Sequence, residues 1–174
     1  MQQAKYFVRD ATHSDIPLLV DFGLLIGRET YLKTGYLPAD YVNGPQRNYW
    51  KAKYLQGVIE NDKSLMLVVY AAEQLIGMTE VEQIGREEAV MWKLYIDHNY
   101  HGQGIGSRLL QEIIDRLPSS IKRLKTEYYD SNKPAARFYK SKGFTFLERK
   151  QEQFKEQTIS YTYVSKPLER KPLS

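Results

Sequence analysis

Apolar and polar positions follow two rhythms along this chain, one of period two and one near three and a half, and their order outlines the fold. "KYFVRDAT" alternates and reads as a first strand. "SDIPLLVDFGLLIGRETYL" reads as a helix with Ser14 as cap and Pro17 in its first turn. "KTGYLPADYVNGP" is a turn-rich connection, and "QRNYWKAKYLQGVIEN" a weaker second helix. "SLMLVVYAAEQLIGMTEVEQIG" reads as two strands joined by a tight turn near Glu73 and Gln74. The next strand, within "EEAVMWKLYID", puts Val90, Trp92, Leu94 and Ile96 on one face. From Gly104 to Leu117 the rhythm is helical: Ile105, Leu109, Ile113 and Leu117, with Leu110 and Ile114, make one apolar stripe before Pro118. "IKRLKTEYYD" is a strand, "NKPAARFYKSKG" a short helix stopped by Gly143, and "FTFLERKQEQF" with "TISYTYVSKPL" a closing antiparallel pair. No repeat, low-complexity run or linker interrupts the order. The expectation is one mixed α/β domain over 1–174, with a core of about 5–168 and a tail at 169–174. An antiparallel meander comes first and two strand–helix units follow.

Composition narrows the classes. Hydrophobic residues are 42% and charged residues 26%, ordinary for a globular domain. No apolar run approaches the roughly 20 residues that span a bilayer, and "MQQAKYFVRD" lacks the apolar stretch of a secretory signal. With no cysteine, disulfides, cysteine metal sites and a thiol nucleophile are excluded, and no metal is called for. A cytoplasmic protein is the simplest reading. The net charge of +4 is mild and spread along the chain, so a solvated surface is preferred to a nucleic-acid patch despite "SIKRLK" and "ERKPLS".

The most informative stretch is "YIDHNYHGQGIGSRLL". Gly102, Gly104 and Gly106 alternate just before an amphipathic helix. The first amides of a helix have no internal acceptors, and the dipole adds about half a positive charge there. Glycines let the backbone curl and a large anion approach, which suits a diphosphate. They also suit a plain strand–helix turn. There is no G-x-x-x-x-G-K-[ST], and G-x-G-x-x-G fails at Ser107. A second constellation is "SNKPAARFYKSKGF". Asn132 or Ser131 caps a helix, Pro134 enters its first turn, and Asn132, Ala136 and Tyr139 share one face. Gly143 is a left-handed stop with Phe144 packing back near Tyr139.

Together these two stretches, with a strand between them, resemble the acetyl-CoA pyrophosphate motif and the N-x-x-A-x-x-F-Y-x-x-x-G-F motif of the GCN5-related N-acetyltransferase (GNAT) family. The resemblance covers about residues 5–168. One departure is His101, where Arg or Gln is usual; histidine can still donate to a phosphate. The resemblance implies a mostly antiparallel, twisted, mixed sheet of about seven strands. About four helices flank it, and it splays between the fourth and fifth strands at a bulge. It implies acetyl-CoA as cosubstrate. Pantetheine would lie along Leu94, Tyr95 and Ile96, and the pyrophosphate on His101, Gly102, Gln103, Gly104, Ile105, Gly106 and Ser107. Asn132 would bond the pantetheine or orient the acceptor side, and Tyr139 would protonate the leaving thiolate. An amide at Leu94 or Tyr95 would face the developing oxyanion.

The acceptor must be an amine that loses a proton, since an alkylammonium has a pKa of roughly 10.4. Glu127, Glu80 and Glu82 are the candidate bases; each also reads as a solvated strand residue. Acceptor choice is implied for Phe22 to Tyr54 and the closing strand pair. There Tyr31, Tyr36, Tyr41, Tyr49, Trp50 and Tyr54, with Glu29 and Asp40, fit either a cation-holding wall or a half-buried helical pair. A loose similarity to bacterial polyamine and small-amine acetyltransferases favours a small amine acceptor attacking directly in a ternary complex. Protein N-terminal or lysine acetylation, and a non-catalytic CoA-binding module, stay open. No nucleic acid or membrane partner is expected; a homodimer rests on family analogy alone.

Overall fold

The computed structural model describes residues 6–169; the first five residues and the expected tail beyond Glu169 lie outside them. The chain opens with β1 (Tyr6–Asp10), then α1 (Ile16–Ile26), α2 (Ala39–Asn43) and α3 (Ala52–Ile59). The meander is β2 (Ser64–Ala71), β3 (Gln74–Gln83) and β4 (Glu88–Ile96). Two strand–helix units follow: α4 (Ile105–Arg116) with β5 (Arg123–Tyr129), then α5 (Lys133–Ser141) with β6 (Thr145–Phe154); β7 (Gln157–Pro167) closes the chain. The described strands form one sheet in the order β1-β2-β3-β4-β5-β7-β6, antiparallel except for β4 beside β5. No described helix is long and apolar enough to cross a membrane.

Each face of the sheet carries its own core. Ile105, Leu109 and Ile113 of α4 are at most 1% exposed and pack with Leu67, Met91 and Leu124 under one face. Burial of each such side chain is worth about 1.5–3 kcal/mol. The expected stripe is the docked face of α4. The other face takes Leu19, Phe22 and Ile26 of α1, Leu55 of α3, and Val68 and Met78 from the sheet.

Three local expectations are corrected. Asp15, not Ser14, anchors the start of α1: its buried carboxylate accepts from Arg9 twice at 2.7 Å, from Tyr70 at 2.7 Å and from the Thr12 amide at 2.7 Å. The helix expected from Gln46 is broken at Lys51 into a 3-10 turn (Gln46–Trp50) and α3. Trp50 is pulled into a notch at Gly23, where a Cβ would stand 2.4 Å from its ring, and that packing overrides the helical run. The meander turn is Ala72–Glu73, with Ala72 left-handed at φ 52°, and Gln74 already pairs with Ala71.

The sheet is parted where the site lies. β4 pairs with β5 only from Glu88↔Arg123 to Met91↔Thr126. On its other side Glu80 pairs with Lys93 and Val81 with Met91, so Trp92 is an extra residue, a β-bulge. The bulge overturns the expected face: Met91, rather than Trp92, shares the α4-side core with Leu94 and Ile96, while Trp92 is 36% exposed. The Thr126 hydroxyl caps the Met91 carbonyl at 2.8 Å, and beyond it the strands separate.

Candidate active site

The gap between β4 and β5 opens into a cleft of about 1060 Å³. One wall is the free edge of β4. The Asp97 amide donates to the Ile76 carbonyl at 2.8 Å. Antiparallel pairing alternates, so Tyr95 and Lys93 also turn their main-chain groups to β3, and Leu94 and Ile96 turn theirs to the gap. Of the two amides considered for the oxyanion, Leu94 faces the cleft; Tyr95 presents its side chain instead.

The second wall is the start of α4. Gly104 is the N-cap at φ 78° and Gly102 stands at φ 76°, conformations that cost an L side chain about 1–2 kcal/mol. Gly106 is different: a Cβ there would make ordinary contact with Phe138 at 3.5 Å, so helix geometry does not demand it. The amides of Ile105, Gly106 and Ser107 donate to no described loop residue and stay open at the positive end of the helix. His101 is placed otherwise than expected. Its Nε2 donates to the Ile96 carbonyl at 2.9 Å, so this nitrogen braces the loop against β4 and has no proton left for a phosphate. Gln103 is half-buried and outside the cleft lining, whereas His101, Gly102, Gly104, Ile105, Gly106 and Ser107 line it.

The third wall is α5. Asn132 Oδ1 caps the helix by accepting from the Ala135 amide at 3.2 Å, which leaves its amide group turned to the cleft. Ser131 instead donates to the Tyr36 carbonyl at 2.8 Å. Tyr139 is 7% exposed, stacked on Tyr128 at 6.1 Å and edge-on to Phe144 at 5.4 Å. Burial raises its phenol well above the usual tyrosine range; a hydrogen bond with Thr126 acts the other way.

The remaining space is lined by aromatic rings and carboxylates. All six aromatics expected between Tyr31 and Tyr54 reach it. Tyr31 arrives on a π-helical segment, Gly27–Leu32, whose wider turn swings that part of the chain toward the gap. The carboxylates differ from expectation. Glu29 is held by Arg28 and Lys33, both at 2.8 Å. Asp40 is tied to Lys155 and lies outside the lining. Glu80 also lies outside it; it is 2% exposed, paired with Lys93, and accepts from Tyr54 at 2.7 Å. Glu127, Glu82 and Glu152 do line the cleft, and among the described residues none makes an ion pair. Glu82 accepts from the Trp92 indole at 2.9 Å, and Glu152 from Tyr41. Burial raises the Glu127 carboxyl, against a hydrogen bond from Tyr163 and the charge of Lys150.

Lys93 and Glu152 were not anticipated. Lys93 lines the cleft as its one described lysine, with its ammonium over the rings of Tyr54, Trp50 and Tyr49 at 4.4, 5.5 and 5.9 Å. Burial lowers its pKa and Glu80 opposes that shift. The signal in the sequence was faint: opposite charges at Glu80 and Lys93 on neighbouring strands, whose register depends on the bulge.

Comparison with protein families decides the class, because the profile of the GNAT acetyltransferase family matches residues 31–144, more than half of the chain. This chain belongs to the GNAT acetyltransferase family. GNAT enzymes are acetyl-CoA-dependent acetyltransferases, and this one is therefore an acyltransferase that uses acetyl-CoA. Solved structures share the fold. A PaiA N-acetyltransferase from Thermoplasma acidophilum, in complex with coenzyme A, has a TM-score of 0.74 at 22% identity, covering 94% of this chain and 99% of its own. An acetyltransferase from Thermus thermophilus has a TM-score of 0.70 at 19% identity, covering 97% and 100%. The ribosomal-protein-S18-alanine N-acetyltransferase from Escherichia coli has a TM-score of 0.71 at 17% identity, covering 96% of each chain. Comparison with curated proteins returns no match. The open amides of α4, the free edge of β4 and the left-handed Gly102 and Gly104 together fit a CoA diphosphate and its pantetheine arm.

Proposed function

We propose that this GNAT enzyme transfers the acetyl group of acetyl-CoA to a small cationic amine in a ternary complex. The observation that carries the acceptor class is the charge of the cleft beyond the β4 edge. Glu127, Glu152 and Glu82 line it among tyrosine rings and make no ion pair among the described residues, while its one described lysine is already paired with Glu80. A charged ammonium ion is the complement of that wall.

Acetyl-CoA supplies an activated acyl group with a thiolate leaving group. The amides of Ile105, Gly106 and Ser107 hold the diphosphate, and Leu94 and Ile96 offer main-chain groups to the pantetheine arm. Asn132 adds its side-chain amide. The Leu94 amide donates to the acetyl oxygen as negative charge develops there. Glu127 takes the proton of the bound ammonium and frees its lone pair for attack; a carboxyl raised by burial is suited to that task. Tyr139 protonates the sulfur. Its raised phenol stays protonated at neutral pH and so has a proton to give; a thiolate whose conjugate thiol ordinarily titrates near about 8.5 is the weaker base, so the transfer is completed by re-protonation of the phenolate from solvent.

The test is thiol release at saturating acetyl-CoA with a panel of cationic, neutral and anionic amines, peptide N-termini and lysine peptides. The proposal expects turnover with small cationic amines, ranked above the rest in kcat/KM. Turnover confined to peptides, or a preference for anionic amines, would remove the acceptor assignment. Binding of acetyl-CoA without turnover on any amine would mark a non-catalytic module.

A further inference from the structure

Two phenols in the cleft share one hydrogen bond and hold one proton more than that bond uses. The hydroxyls of Tyr31 and Tyr95 stand 2.7 Å apart. Each has one proton to donate; one closes the bond, and the other finds no acceptor among the described residues. Burial raises both phenols, so both keep their protons at neutral pH. Tyr31 is only 2% exposed, while Tyr95 is half-buried on the cleft wall, so the outward proton belongs to Tyr95.

The pair sits over the parted strands. Tyr95 rises from β4 with its ring against Trp50 at 5.7 Å, and Tyr31 meets Tyr129 of β5 edge-on at 5.6 Å. Tyr139 lines the same cleft as both phenols, and Leu94 is the neighbour of Tyr95 on its β4 wall. Of the acceptors in the reacting group, the sulfur is already served by Tyr139, which leaves the acetyl oxygen for a surplus donor. The nucleophilic amine needs its lone pair for attack, and its ammonium form has none to offer. The acetyl oxygen has lone pairs and gains charge as the reaction proceeds.

We propose that Tyr95 donates a second hydrogen bond to the acetyl oxygen, complementing the Leu94 amide, and that Tyr31 is its positioning residue. The proposal rests on the acetyl-transfer reading of the cleft. It makes Tyr95 a catalytic residue through its side chain, although its backbone is spent on β3.

The experiment uses acetyl-CoA labelled with carbon-13 at the acetyl carbonyl, bound without acceptor and read by isotope-edited infrared spectroscopy. The wild-type enzyme should hold the carbonyl band at lower frequency than Tyr95→Phe does, with the acetyl-CoA dissociation constant by calorimetry unchanged. Tyr31→Phe should give an intermediate band, and the double variant should match Tyr95→Phe alone. In turnover, Tyr95→Phe should lower kcat by about 10²–10³-fold, the loss typical of one such donor, and leave KM for acetyl-CoA in place. Bound acetyl-CoA with the same carbonyl band in wild type and Tyr95→Phe would overturn the inference while leaving the function standing. No binding to the wild type would overturn both.

Discussion

In the proposed reaction Tyr139 joins packing and chemistry in one side chain. Rings of Tyr128, Phe138 and Phe144 surround it, with centroids 5.4–6.1 Å away, so its rotamer is set by the core of the α4 side while its hydroxyl reaches the gap. Removing that hydroxyl leaves the packing intact. Tyr139→Phe should therefore retain CoA binding and lower kcat at least about tenfold, below the usual range for loss of a positioned general acid. Steady-state kinetics beside a calorimetric titration checks this; an unchanged kcat would remove Tyr139 as the acid. Such a residue was legible because its neighbours obey local rules. Asn132 caps, Pro134 enters and Gly143 stops the helix at φ 83°, all within one short stretch. The Tyr31–Tyr95 pair obeyed no local rule. Its members lie 64 positions apart and meet only through a π-helical turn and a strand.

At the scale of elements, the bulge at Trp92 decides where β4 lets go of β5. It also turns the following side chains by one position, so Lys93 meets Glu80 and Leu94 and Ile96 return to the α4-side core. Strict alternation misses this, because one inserted residue exchanges the faces downstream of it. The buried Glu80–Lys93 pair spans the bulge and contributes to its register. Lys93→Met alone leaves a buried carboxylate without its cation and should cost about 3–5 kcal/mol. Adding Glu80→Gln should recover much of that loss, since the stranded charge is gone. Denaturant unfolding of the two variants reads the difference; equal losses would show that the pair is not coupled. The glycines before α4 were legible for the opposite reason. Two of the three are required locally, by left-handed backbone at Gly102 and Gly104, and need no distant partner to explain them.

Across the whole molecule, the proposed reaction has one gap in the sheet serve two ligands from opposite sides. The α4 and α5 side offers amides, and the α1 side with the β6–β7 hairpin offers carboxylates and tyrosines. The hairpin is tied down by Phe154 against Tyr41 at 5.1 Å and by Lys155 on Asp40, so the acceptor wall is assembled from both ends of the chain. That explains why the acceptor side was less legible than the cosubstrate side: its residues come from four distant segments. pH tests the base role proposed for Glu127. Its carboxyl is raised by burial, so the base form appears late as pH climbs, and the acidic limb of kcat/KM should lie above the usual carboxylate value of about 4.3. Glu127→Gln should remove that limb along with most activity. The same shift means that the folded state holds the proton more tightly than the unfolded state. Its stabilising contribution is therefore present at low pH and lost as pH rises through the raised pKa. Glu127→Gln should then melt higher than wild type at neutral pH, with the gap closing in acid; a limb in the ordinary carboxylate range would contradict the assignment.

The most direct measurement is a crystal structure of the enzyme with coenzyme A. The account predicts the diphosphate on the amides of Ile105, Gly106 and Ser107, the pantetheine arm along Leu94 and Ile96, and the sulfur within hydrogen-bonding distance of the Tyr139 hydroxyl. Coenzyme A bound outside the β4–β5 gap, or bound there with its sulfur turned away from Tyr139, would contradict it.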